Sequence, residues 1–96
     1  MSSSLPDNNT LLERTPELVA ADLDGELVMM NAEAGRYYGI SGVGARAFEL
    51  LESPISIEGL VGTITHEYDV DADKCRRDIQ TFVQELMSNG LVRPAN

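Results

Sequence analysis

The sequence holds one cysteine, Cys75, and one histidine, His66. A single cysteine excludes an intramolecular disulfide, and a lone histidine leaves acid–base catalysis without a partner. Basic residues are also scarce: 7 Lys and Arg stand against 16 Asp and Glu, for a formal charge of -9. Such a balance repels phosphate backbones and anionic bilayers, which argues against nucleic acid and membrane partners. It also favours a soluble monomer. No apolar run approaches the ~18 residues that a membrane span needs. Residues 1–9 are polar and contain no signal-peptide core, so a cytoplasmic location is expected. The 96 residues suit one domain with one modest core.

What is present divides the chain in two. Residues 1–13 are rich in Ser, Asn, Asp and Pro, and predict a disordered lead-in. We place it at residues 1–15 and the folded domain at residues 16–96. Residues 18–23 read as a first strand, Asp24-Gly25 as a hairpin turn, and residues 26–31 as a second strand. Residues 31–35 read as another turn, and the aromatic, β-branched run 36–40 as a third strand. The period then changes from 2 to 3.6. Ser41 is positioned to cap a helix reaching about Glu52, with Val43, Ala47, Phe48, Leu50 and Leu51 as its apolar positions and Pro54 as its stop. Ser56 is positioned to cap a second helix with Ile57, Leu60, Val61, Ile64 and Tyr68 on one stripe. Asp71 caps a third, whose apolar face is Cys75, Ile79, Phe82, Val83 and Leu86. Gly90 ends it, and Leu91-Val92 return to the core. The expected fold is α+β and winged helix-turn-helix-like: a three-stranded antiparallel sheet, three helices and a short C-terminal extended segment.

No catalytic constellation, metal site or cofactor motif emerges, and a non-enzyme is expected. His66 falls near a helix C-terminus, where the dipole accounts for it. Cys75 is a candidate nucleophile because Lys74, Arg76 and Arg77 adjoin it, but its register with Ile79 and Phe82 favours a core position. Asp69, Asp71 and Asp73 alternate like the start of a calcium loop, yet Lys74 occupies the position that needs Gly. Gly42-Val43-Gly44 lacks the lysine of a phosphate loop. One charge feature remains: Lys74, Arg76 and Arg77 gather in the first turns of the third helix of an otherwise acidic chain. They suit either surface ion pairs or acidic side chains on a partner.

The outer strands of a meander are edges. The third, residues 36–40, carries no proline or lysine to discourage pairing. Peptides bind such edges as added strands. The third helix would wall the groove with Cys75, Arg76, Ile79 and Val83. In the alternative, another part of the chain, such as the lead-in, covers the edge.

Three stretches carry a resemblance. They are Asp24-Gly25-Glu26-Leu27-Val28-Met29-Met30, Gly35-Arg36-Tyr37-Tyr38-Gly39-Ile40-Ser41 and Gly44-Ala45-Arg46-Ala47-Phe48-Glu49-Leu50-Leu51. With the ending from Tyr68-Asp69-Val70-Asp71 through Phe82, Leu86 and Gly90-Leu91-Val92, they resemble the PqqD-like family of precursor-peptide recognition elements over residues 18–92. Ser41 departs from the Asn that many members carry. The resemblance implies a non-catalytic, winged-helix-like domain that binds the leader of a ribosomally made peptide beside the third strand and third helix. On that reading Arg36, Tyr37, Tyr38, Gly39 and Ile40 supply the ladder, with Tyr37, Tyr38 and Ile40 also lining the groove. Cys75, Ile79, Phe82 and Val83 supply apolar walls, and Lys74 and Arg76 hold acidic leader residues. The stand-alone length and the Val-Asp-Ala-Asp helix entry look most like the leader-binding protein of lasso-peptide clusters. Its partners there would be a leader peptidase and an ATP-dependent cyclase; other clusters would use a radical enzyme. A winged-helix DNA regulator and a thiol enzyme built on Cys75 are the rival readings.

Overall fold

The computed structural model describes residues 7–95 except Glu17, Gly25, residues 32–34 and Ser41, with side chains for all of these but Asn31 and Arg36. The elements run β1 (Leu12–Arg14), β2 (Leu18–Leu23), β3 (Glu26–Asn31), β4 (Arg36–Ile40), α1 (Gly42–Leu50), α2 (Ile57–Glu67), α3 (Ala72–Ser88) and β5 (Val92–Pro94). The α+β order read from the sequence stands: β2, β3 and β4 form the antiparallel meander, in that spatial order, and three helices follow. Asp24 takes φ 53 in the two-residue connection between Leu23 and Glu26, as a tight hairpin requires. The expected Ser41 cap lies outside the described residues.

Period-2 alternation decides which side of the sheet is buried. Met29 is fully buried, and Leu27, Tyr38 and Ile40 of the same face pack against the core. The helices cover this face. Ser56 accepts a hydrogen bond from the Gly59 amide at the start of α2, and Ile57, Leu60, Val61 and Ile64 are buried behind it. Tyr68, expected on the same stripe, is instead the exposed C-cap of α2.

Helix α3 starts at Asp71, whose carboxylate accepts from the Lys74 amide. Its end is a Schellman motif. Gly90, at φ 73, takes the left-handed conformation that places the Leu91 amide on the Leu86 carbonyl (2.9 Å) and its own amide on that of Met87 (3.1 Å).

The lead-in differs from expectation. Leu12–Arg14 form β1, which pairs antiparallel with β5, and Leu12 also bridges Ile55. Leu12 is fully buried. The Arg14 guanidinium donates to the Phe48 carbonyl at 2.6 and 3.1 Å, at the end of α1, where the same carbonyl also accepts from the Leu51 amide. Further back, the Asn8 carbonyl accepts from the Glu58 amide. The ordered fold therefore begins before residue 16. The polar composition that suggests disorder outweighs, in a sequence reading, the one or two apolar residues that dock.

Candidate functional site

The backbone phase of β4 follows from the hairpin before it. Leu23 and Glu26 close a two-residue hairpin, and such closing residues exchange both backbone bonds. Alternation then makes Ala21↔Val28 and Val19↔Met30 the bonded pairs of β2 and β3. Leu27, Met29 and Asn31 must point their backbone groups the other way, to Ile40, Tyr38 and Arg36. The N–H and C=O of Tyr37 and Gly39 are left facing the open edge of β4. No described strand pairs there, because β1 is engaged with β5. The lead-in thus does not cover this edge among the described residues.

Side chains sort by the same phase. Tyr38 and Ile40 lie on the core side, toward the helices, and Tyr37 projects from the opposite face with 71% of its surface exposed. Of the two tyrosines, only Tyr38 has its side chain on the helix side. The side chain of Arg36 lies outside the described residues.

β4 meets α3 across the first turn of α1. Gly44 lies between them: a Cβ there would stand 2.8 Å from Ile40 Cγ2, forcing that side chain to shift, and in ordinary contact at 3.6 Å with the Phe82 ring. Beyond Gly44 opens a hollow of about 170 Å³ lined by Val43, Ile64, Val70, Lys74, Cys75, Asp78 and Ile79. Its lining is apolar apart from Lys74 and Asp78, which bond each other at 2.9 Å. Of the residues singled out in sequence, Lys74, Cys75 and Ile79 line this hollow, and Ile40 and Phe82 stand beside it at Gly44. Val83 is fully buried and presents no surface. Val43, Ile64, Val70 and Asp78 are additions. A signal existed for Val70: it precedes the N-cap Asp71, and Cys75 is the fourth helical residue, the spacing of a hydrophobic staple.

Arg76 occupies a different flank. At 100° per residue, two positions turn α3 by roughly 200°, so Arg76 lies away from Lys74 and Asp78. Its guanidinium donates to both Glu58 carboxylate oxygens, at 2.7 and 3.1 Å, and to Asp73 at 3.1 Å. The Glu58 hydrogen bonds raise the Arg76 pKa and hold the Glu58 carboxyl below the usual carboxylate range. A depressed carboxylate pKa stabilises the fold above its unfolded value and loses that contribution as pH falls through the folded value. Arg76→Gln is therefore expected to lower the melting temperature at pH 7 by a small amount, since the pair is partly exposed. The difference from wild type should shrink at pH 3. Thermal melts at both pH values check this; an equal difference at each would contradict it.

Cys75 is buried, and burial pushes its thiol pKa up, with Asp78 adding and Arg76 opposing. This is the reverse of an activated thiolate. Among the described residues no three His, Cys, Asp or Glu gather to hold a metal ion, and no helix is long and apolar enough to cross a membrane.

Fold and site together define a winged-helix-like α+β domain with an open sheet edge beside its third helix. The chain belongs to the PqqD family: the family model described as coenzyme PQQ synthesis protein D matches residues 26–92. Among solved structures, TbiB1 in complex with the TbiA(beta) leader peptide is 31% identical, with TM-score 0.79 over 88% of this chain and 98% of that one. A lasso peptide synthetase B1 complexed with its leader peptide is 26% identical, with TM-score 0.76 over 86% and 98%. The PqqD truncation of Methylobacterium extorquens PqqCD, a stand-alone recognition element for ribosomally synthesised and post-translationally modified peptides, shares the fold at 11% identity, with TM-score 0.75 over 91% and 93%. A search of the curated proteins finds no match.

Proposed function

We propose that this chain binds the leader segment of a ribosomally synthesised precursor peptide as a strand added to β4, and delivers it to a partner processing enzyme. The observation that carries this is the open edge at Tyr37 and Gly39 beside α3, in a chain 31% identical to a protein held with a leader peptide. Backbone bonds from Tyr37 and Gly39 hold the leader, and its alternate side chains turn toward Tyr38, Ile40, Phe82 and the hollow at Cys75 and Ile79. Val83 supports that wall from behind. Lys74 offers charge to an acidic leader residue at the rim, whereas such a residue must compete with Glu58 for Arg76. The domain contributes recognition and no chemistry. The setting is a cytoplasmic lasso-peptide pathway, with a leader peptidase and a cyclase as partners.

The test is a titration of the 15N-labelled chain with the leader peptide of its own gene cluster. Amide shifts should concentrate on Tyr37, Gly39 and the first half of α3. Shifts centred on β2, or none at saturating peptide, would overturn the reading.

A further inference from the structure

Gly39 is the one position of β4 without a side chain, and the side chain of another residue stands in its place. A Cβ at Gly39 would lie 2.8 Å from Glu26 Oε2, 3.0 Å from its Cδ and 3.5 Å from its Oε1. Strand pairing explains the approach. Gly39 pairs with Val28, and Glu26 stands two residues along β3 on the same face of the sheet. Glu26 is thus diagonal to Gly39, within reach of a long side chain. Its carboxylate hangs over the β4 backbone, one strand nearer the open edge than its own Cα. Gly39 does not take a positive φ, so no turn requires glycine there. A strand glycine of this kind marks a close approach.

Glu26 is exposed, and among the described residues no Lys or Arg pairs with it. Residues 18–40 add Asp22, Asp24 and Glu33 against Arg36 alone, so the field at this end of the sheet is negative. A strand added to β4 sets one residue opposite Gly39, its Cβ roughly 4.5–5.5 Å from where a side chain on Gly39 would begin. The Glu26 carboxylate occupies that place. The residue opposite Gly39 therefore meets a carboxylate, while its two neighbours along the leader turn toward the helices.

We infer that Glu26, laid across Gly39, selects the charge of one leader residue: Lys or Arg opposite Gly39 is favoured, and Asp or Glu is disfavoured. This rests on the proposed strand addition at β4. The preference is the reverse of that offered by Lys74 on the helix side. Alternation along an extended leader lets both be met at once.

The experiment first locates the leader residue opposite Gly39, from nuclear Overhauser contacts between Gly39 of the labelled chain and the bound leader peptide of its own gene cluster. Leader peptides carrying Lys or Glu at that position are then titrated by fluorescence polarisation at low salt. The wild-type chain should bind the Lys form at least ~5-fold more tightly than the Glu form, as one exposed attraction and one exposed repulsion together allow. Glu26→Gln should cut that ratio at least ~3-fold. Asp24→Asn removes a charge in the adjoining turn, where Asn tolerates the left-handed backbone, and should leave the ratio within about twofold. Gly39→Ala keeps the charge but puts a methyl group where the carboxylate lies. It should also cut the ratio, and it carries the test should Glu26→Gln lower the melting temperature. An unchanged ratio in the folded variants overturns the assignment while leader binding stands. So does an equal loss in Asp24→Asn, because the acidic surface as a whole would then set the preference. Absence of leader binding in the wild type, or of leader contacts at Gly39, overturns the strand addition and this inference with it.

Discussion

Tyr37→Pro is expected to weaken leader binding at least ~10-fold while leaving the domain folded. The Tyr37 backbone points to the open edge of β4, so a proline there removes no bond of the meander. Strand prolines are tolerated where the N–H faces outward. The side chain is exposed, so little packing is lost with it. An added strand loses more. One backbone hydrogen bond is worth roughly 0.5–1.5 kcal/mol, and the pyrrolidine ring also obstructs the neighbouring chain, whereas a tenfold loss needs only ~1.4 kcal/mol. The matched control is Ala20→Pro, whose N–H faces outward at the opposite edge of the sheet, on β2. Fluorescence polarisation with the leader peptide should separate the two. If Ala20→Pro weakens binding and Tyr37→Pro does not, the peptide adds to β2 and the site is misplaced.

Leu12→Ala is expected to cost about 2–5 kcal/mol, the range for a fully buried leucine truncated to alanine. Leu12 touches no other element by sequence proximity. It is held by backbone bonds to Ile55, in both directions, at 2.9 and 3.0 Å, and by the pairing of β1 with β5. For a domain of this size, each kcal/mol moves the melting temperature by roughly 4–8 °C, so a fall of ~8 °C or more should appear in a circular dichroism melt. The exposed neighbour Leu11 is the control: Leu11→Ala should change stability by no more than ~0.5 kcal/mol. A Leu12→Ala melt indistinguishable from wild type would mean that β1 is not part of the core.

These two predictions draw on different sources. The strand phase behind Tyr37→Pro is a short step from the sequence. Asp24-Gly25 defines a two-residue hairpin that sets the phase of β3, and the register of β4 on β3 then decides which residues of β4 face outward. The role of Leu12 was not legible. It sits beside an exposed leucine in a polar stretch, its pairing partner in β5 lies about eighty positions away, and no local pattern encodes a contact at that separation. The basic cluster on α3 shows the same division. Its composition was plain, but Lys74 at the hollow and Arg76 on Glu58 occupy different flanks of one helix. That distinction depends on where α2 lies.

The sequence by itself determined the order of the three-stranded meander and the three helices, the caps at Ser56 and Asp71, and the stop at Gly90. All of these are local: a hydrogen bond within one turn, a left-handed glycine, a period of 2 or 3.6. The tertiary structure alone decided that β1 closes on β5 instead of covering β4. It also decided that Gly44 sits between Ile40 and Phe82, and that no described strand covers the edge of β4. Those outcomes depend on how elements distant in sequence share one core, and packing between them, unlike the turn of a helix, leaves no periodic trace in the chain.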